Sequence, residues 1–331
     1  MDKVDFPNTD KKASRIGLGT WAIGEWLWGP QKKEDSLETV KEALDKDITF
    51  IDTAPVYGFG KSEEIVGQAI EEYGVRDDLI IATKVTIDWD EEHHLYRNGT
   101  EERIFKEIED SLERLRTDYI DLYQVHWPDP LISIEETAKA MKQLYDDGII
   151  GAIGVSNYST EQMDEFRKHA PLHTCQPPYN LFERQIEEDI LPYCKENDIY
   201  LITYGALCRG MLSGKMSKDR EFKGDDLRNT DPKFEEPRFT QYLEAVDKLE
   251  EFAKKKYNKE VISLAVRWIL DQGVETALWG ARKPSQVAPF DNVMGWSLSG
   301  NDLKEIETII TETIKDPVGP EFMAPPTRKE R

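Results

Sequence analysis

The chain has 331 residues, 39% of them hydrophobic and 33% charged, with a formal net charge of −22 at pH 7. That is apolar material enough for a sizeable core, while so acidic a field repels phosphate backbones and anionic lipid and excludes nucleic acid and membrane surfaces as general partners. Any anionic ligand must then be held by local cations, so isolated basic clusters become informative. Cys175, Cys194 and Cys208 show no paired or metal-type spacing, and their odd number argues against a disulfide framework. The opening MDKVDFPNTDKK is polar and lacks the apolar run of a secretory signal, and no window reaches 18 apolar residues. The chain therefore reads as a protein of a reducing cytoplasm, where the Asn98-Gly99-Thr100 sequon carries no weight.

In chain order, the first strand is predicted at 16–19. Gly17-Leu18-Gly19-Thr20-Trp21-Ala22 fits the dinucleotide fingerprint that follows such a strand. The helix it requires is interrupted by Gly24, Gly29 and Pro30, so Gly19, Thr20 and Trp21 are read as strand-end residues on a pocket floor. Strands follow at 49–52, 79–83, 120–126, 151–155, 174–176, 200–203 and 275–278, most of them unbroken apolar runs, as strands covered on both faces should be. Helices are predicted at 35–46, 62–73, 101–115 and 134–147. Thr100 caps the third of these with Glu101 and Glu102 behind it, and Gly74 and Gly148 stand where two helices should stop. Strand–helix alternation repeated eight times predicts an α/β fold, a single-domain (β/α)8 TIM barrel over residues 1–331. The segment 212–240, charged and broken by Gly214, Gly224, Pro232 and Pro237, follows the seventh strand and is expected to be a lid. A last helix is expected at 301–315, then a Pro-rich tail.

Barrel strands deliver their C-terminal residues to one pocket. Asp52, Tyr57, Lys84 and His126 all fall at or just beyond such ends, and together they suit carbonyl reduction. Hydride arriving at a carbonyl carbon leaves charge on oxygen, which needs a proton and a polarising hydrogen bond. A free tyrosine titrates near about 10, an adjacent ammonium stabilises its phenolate, and a carboxylate anchors the ammonium. Tyr57, Lys84 and Asp52 fill those roles and His126 orients the substrate oxygen. Taken singly, each residue reads more simply as a buried ion pair or a core histidine; the constellation reverses that. A Schiff-base lysine at Lys84 is the rival chemistry. His93-His94, among Asp88, Asp90, Glu91 and Glu92, reads as a solvated loop, and no metal is expected. Cys208 beside Arg209 reads as a small packing residue rather than a reactive thiol. Trp21 and Trp127, flanking Tyr57 and His126, would wall a largely apolar substrate pocket.

The stretch FIDTAPVYGFGKSEEIVGQAI closely resembles the aldo-keto reductase signature around its catalytic aspartate and tyrosine, and ATKV and DLYQVHWPD resemble the segments bearing that family's lysine and histidine. GVSNYS, QPPYNLFER and TYGALCRGMLSGK are similar to its cofactor-binding strand ends, so the likeness runs from about residue 15 to 315. ALWGARKPSQV with the DPVGPEFMAP tail resembles the bacterial and archaeal branch that includes general-stress and inositol-operon reductases. The resemblance implies a barrel binding NADP(H) in an extended pose, with Asp52, Tyr57, Lys84 and His126 as tetrad. It implies Ser156, Asn157 and Gln176 at the carboxamide, Tyr204 on the nicotinamide ring, and Gly205, Leu207 and Arg209 along the pyrophosphate. Gly280 to Gln286, with Arg282 and Lys283, would face the 2′-phosphate, and Thr20, Trp21 and Asp52 would border the cofactor. The chain departs from the common pattern in having Val287-Ala288-Pro289-Phe290 where an adenine-gripping Asn follows the Gln, and Gly280-Ala281 where many members have Lys-Ser. The family also includes channel-associated barrels that sense the cofactor, a reading no surface feature of this sequence favours; the expected partner is a small carbonyl compound.

Overall fold

Eight parallel strands close on themselves in the computed structural model, which describes residues 1–330. They are β1 (Ile16–Gly19), β2 (Phe50–Asp52), β3 (Ile80–Val85), β4 (Ile120–Val125), β5 (Ile150–Ser156), β6 (Thr174–Gln176), β7 (Tyr200–Thr203) and β8 (Thr276–Gly280). Each pairs with its neighbours in sequence, and β8 returns to β1 with Leu278 opposite Gly17 and Gly280 opposite Gly19. All eight predicted strands are present with small shifts at their ends.

The helices are α1 (Lys33–Asp45), α2 (Lys61–Tyr73), α3 (Glu101–Leu115), α4 (Ile134–Asp146), α5 (Thr160–Arg167), α6 (Ile190–Glu196), α7 (Arg238–Tyr257), α8 (Val261–Asp271), α9 (Pro284–Val287) and α10 (Gly300–Thr313). In α3 the residues Ile104, Ile108, Ser111 and Leu115 recur at helical spacing and are buried, which is why this stretch helices against the barrel. Its start is capped as expected, with Thr100 Oγ1 accepting from the Arg103 N–H at 3.3 Å. Gly74 and Gly148 end their helices at φ 75° and 74°, a conformation that costs other residues more. Among the described residues no helix is long and apolar enough to cross a membrane.

Successive side chains of a strand point to opposite faces, and that alternation sets the interior. Phe50, Ile80, Ala82, Leu122, Ala152, Ile202 and Leu278 form one buried cluster with Phe6, a layer of inward residues from successive strands. One inward step towards the C-terminal ends brings Asp52, Lys84, Gln124 and Gln176. The same parity that fills the barrel with hydrocarbon thus delivers its polar layer to the top.

Two hairpins were not foreseen. Lys3–Asp5 pairs with Lys12–Ser14 and closes the bottom, where the Phe6 ring lies 5.9 Å from Phe50 and 5.3 Å from Tyr200. Ile87–Trp89 pairs with Leu95–Arg97 beyond β3, so the acidic segment is an ordered hairpin at the mouth rather than a plain loop. The 212–240 segment also carries more structure than expected. It holds 3-10 turns at Leu227–Asn229 and Pro232–Phe234, and α7 already begins at Arg238.

Candidate active site

Asp52 ends β2, and two glycines bring the next loop over it. A Cβ on Gly24 would lie 2.4 Å from the Tyr57 carbonyl oxygen, and one on Gly58 would lie 2.1 Å from that of Gly24. Only glycine lets these loops touch, and the contact stacks Trp21 on Tyr57 at 5.9 Å between centroids. Thr20 is tied in from below: its hydroxyl donates to the Asp52 carbonyl at 2.9 Å and accepts from Ser62 at 2.8 Å.

The structure brings the tetrad together. Lys84 Nζ donates to Asp52 Oδ1 at 2.5 Å, to the Thr53 carbonyl at 3.0 Å and to Tyr57 Oη at 3.4 Å. The other oxygen of Asp52 accepts from Gln176 at 2.8 Å and from Gln124 at 3.2 Å. His126 stands edge-on to Tyr57 at 5.7 Å. Sequence reasoning missed Gln124, although it sits two residues before His126 and shares its parity. It also gave Gln176 to the cofactor alone, whereas its amide nitrogen is held by Asp52.

The electrostatics correct one expectation. Lys84 was to acidify Tyr57; instead burial, then Asp52 and Tyr204, push the phenol well above its ordinary value. The ammonium stands nearer to Asp52 than to the phenol, and burial outweighs its pull on the resting phenol. Burial likewise pulls Lys84 down, against the pull of Asp52. His126 is driven well below the usual histidine value by burial and then by Lys84, so at neutral pH it is a neutral imidazole. Tyr57 therefore holds its proton firmly until charge develops next to it.

Beside the tetrad, Ser156 Oγ donates to the Gln176 carbonyl at 2.7 Å. Asn157, at φ 60°, donates to the His126 carbonyl at 3.0 Å and accepts from Tyr204 Oη at 2.9 Å. Tyr204 is thereby fixed at the edge of a trough of about 440 Å³ that runs from Asp52 and Tyr57, past Tyr204–Gly205–Leu207, to Gly280, Arg282 and Gln286. Lys283 is exposed outside it. In a chain of net charge −22, five cations among the described residues line this trough (Arg209, Lys215, Arg220, Arg228 and Arg282), and Asp52 is the one carboxylate among those residues that does. The indole N–H groups of Trp21 and Trp28 and the Nε of Arg282 are buried there without acceptors. Arg209 and Arg228 are paired with carboxylates outside the lining, and the remaining Lys215, Arg220 and Arg282 with the unanswered donors fit an elongated anion rich in acceptors, as a phosphate-bearing dinucleotide is.

Two cations expected to grip phosphate are engaged elsewhere. Arg209 donates to Glu183 from both terminal nitrogens and to Asp231 from Nε at 2.8 Å. Lys233 joins Glu183 at 2.8 Å, and all four residues are buried. These cations hold the Glu183 carboxyl at about 2 despite its burial. Arg282 donates to the carbonyls of Trp28, Gly29 and Pro30 at 2.6, 2.9 and 2.7 Å. Phe290, near the missing Asn, packs on Trp279 at 4.6 Å. Cys208 is buried, with its thiol pushed up to about 12 by burial, consistent with a packing residue. At the exposed hairpin tip Asp90, Glu92 and His94 gather single ligand atoms within 4.8 Å of one another. His93 stacks on Phe59 at 4.0 Å.

The sequence model of the Aldo/keto reductase family matches residues 15–311. Aldo-keto reductase YhdN of Bacillus subtilis is 61% identical over 331 residues, covering all of both chains. The NADH-specific methylglyoxal reductase of Escherichia coli is 34% identical, over 91% of this chain and 95% of its own. Among solved structures, the glycerol dehydrogenase AKR11B4 of Gluconobacter oxydans superposes with a TM-score of 0.89 at 50% identity, over 98% of this chain and 99% of the other.

Proposed function

The chain belongs to the aldo/keto reductase family, and on that premise we propose that it reduces aldehydes or ketones to alcohols reversibly, with NADPH as hydride donor and Tyr57 as proton donor. The observation that carries this is Lys84 Nζ standing between Asp52, at 2.5 Å, and Tyr57 Oη, at 3.4 Å, the latter two lining a cation-bearing trough. When bound, the reduced nicotinamide supplies the hydride. Ser156, Asn157 and Gln176 would hold its carboxamide edge and Tyr204 its ring. Neutral His126 donates one N–H to the substrate oxygen and orients it. As charge grows on that oxygen, Tyr57 gives up its proton, and the Lys84 ammonium, already within reach, stabilises the phenolate left behind. Trp21 and Trp127 would wall an apolar substrate. The relatives named above suit both directions, since one is named a reductase and the other a dehydrogenase.

NADPH is preferred in this reading because the trough collects cations in an acidic protein, and a 2′-phosphate needs them. The relative named as NADH-specific keeps NADH as the alternative. The 212–240 segment would close over the cofactor. The test is Tyr57→Phe, which removes the proton and little volume. We expect turnover with a simple aldehyde to fall about 10²- to 10⁴-fold while NADPH still quenches tryptophan fluorescence at near wild-type concentration. Near wild-type turnover would remove Tyr57 from the mechanism, and a panel of carbonyls run with both cofactors would decide between them.

A further inference from the structure

Three loops that line the trough are fastened to one another. The loop after β1 offers the carbonyls of Trp28, Gly29 and Pro30 to the single guanidinium of Arg282, from the loop after β8, at 2.6, 2.9 and 2.7 Å. Gln31 returns a hydrogen bond to the Arg282 carbonyl. On the other side the Leu227 N–H, from the long loop after β7, donates to the Leu27 carbonyl at 3.0 Å, and the Leu27 N–H donates to Asp225 at 3.1 Å. The Arg228 guanidinium lies 5.4 Å from the Trp28 ring. Trp28, Arg228 and Arg282 all line the trough, so the fastened loops border the space where a dinucleotide would lie.

Resting on the reading that this trough holds a nicotinamide dinucleotide, we propose that Arg282 is a positioning residue that latches the Trp28–Gly29–Pro30 segment over the bound cofactor and sets its residence time, rather than the group that recognises the 2′-phosphate. Three of the four terminal N–H groups of Arg282 donate to backbone carbonyls, and its Nε is buried without an acceptor. Either two-pronged edge of a guanidinium uses Nη2, and both N–H groups of that nitrogen are on the carbonyls of Gly29 and Pro30, so a phosphate could grip bidentately only by displacing one of them, while Nε offers it a single donor. The loop and the ring of Trp28 contribute the same contacts whether or not a 2′-phosphate is present, so the latch acts on both cofactors alike.

The experiment measures dissociation of NADPH and of NADH by stopped-flow tryptophan fluorescence for the wild type, Arg282→Ala and Arg282→Lys. Amide exchange of the cofactor-free proteins is followed at Leu27 and Leu227. We expect Arg282→Ala to release both cofactors faster by about tenfold or more, the scale of a lost charge-assisted hydrogen bond, with the ratio of their affinities held within about threefold. Arg282→Lys keeps the charge but cannot span three carbonyls, so it should behave like the alanine variant. Exchange at Leu27 and Leu227 should quicken in both variants without cofactor. Faster release of NADPH alone, rescue by lysine, or unchanged exchange would overturn the latch and return Arg282 to the phosphate. Should Arg282→Ala fail to fold, Arg282→Lys carries the comparison. If the protein binds only NADH, the NADPH reading fails while NADH release still tests the latch; if it binds neither, the exchange measurement does.

Discussion

Replacing Lys84 by Met removes the cation that Asp52 pairs with and keeps much of the side-chain volume. Lys84 and Asp52 are 0% and 2% exposed, and without the ammonium the carboxylate keeps only the neutral amides of Gln124 and Gln176. Breaking one partner out of a buried pair costs about 3–5 kcal/mol. Unfolding entropy of roughly 2.1 cal/mol/K per residue gives about 0.7 kcal/mol/K for 331 residues, so Tm should fall by about 4–7 °C. The double variant Asp52→Asn/Lys84→Met removes the stranded charge and should recover most of that fall. Turnover should recover in neither, because Tyr57 still lacks the ammonium that stabilises its phenolate. Thermal melts by near-UV circular dichroism, with single-turnover hydride transfer at saturating cofactor, separate the two effects. A double variant that melts no higher than Lys84→Met would refute the pairing argument; one that regains turnover would refute the role of Lys84.

Burial and Lys84 hold the His126 pKa well below the ordinary histidine value of about 6.5, so an unfolded chain takes up a proton there that the folded one refuses; stability should decline as pH falls below about 6.5, and His126→Asn should flatten the decline in urea midpoints, whereas an unchanged slope would place its origin elsewhere. Arg209→Met leaves Glu183 and Asp231 to Lys233 alone and should lower stability by about 3–5 kcal/mol; a variant that melts like the wild type yet loses NADPH affinity would restore Arg209 to the pyrophosphate. Saturating NADPH should slow amide exchange across 212–240, and unchanged protection would make that segment a passive excursion.

The barrel was legible because strand parity and apolar runs are local signals. Asp52, Lys84 and His126 needed only the rule that strand ends meet, and Tyr57 only its place in the following loop. What escaped was pairing between distant segments. Nothing local shows that Arg209 belongs to Glu183 and Asp231, 26 and 22 residues away, or Arg282 to a loop some 250 residues earlier. A cation in a phosphate-type segment looks the same whether it faces solvent or a carbonyl. The direction of the Tyr57 shift escaped for a related reason: burial sets it first, then Asp52 and Tyr204, and no spacing encodes how deeply a loop residue is buried. The hairpins were missed because three-residue strands carry too little alternation to register.

The residues after α10 do not simply trail from the barrel. Arg97 holds the carbonyls of Pro325 and Pro326 at 2.7 and 3.0 Å, Thr327 bridges to Arg97, and Arg328 reaches Asp129 at 3.0 Å. Further back, Lys233 holds the Gly319 carbonyl at 2.9 Å, and Met323 between these anchors lines the trough. In the order of synthesis, this wall is laid down after every strand has emerged. The barrel closes through neighbours in sequence, apart from the return of β8 to β1, but the tail must find partners about 200 residues upstream. Contacts that far apart carry a loop-closure entropy that local ones do not. A nascent chain can thus own a closed barrel and a tetrad while its pocket still lacks a side, and maturation of the pocket is a later event than folding of its floor.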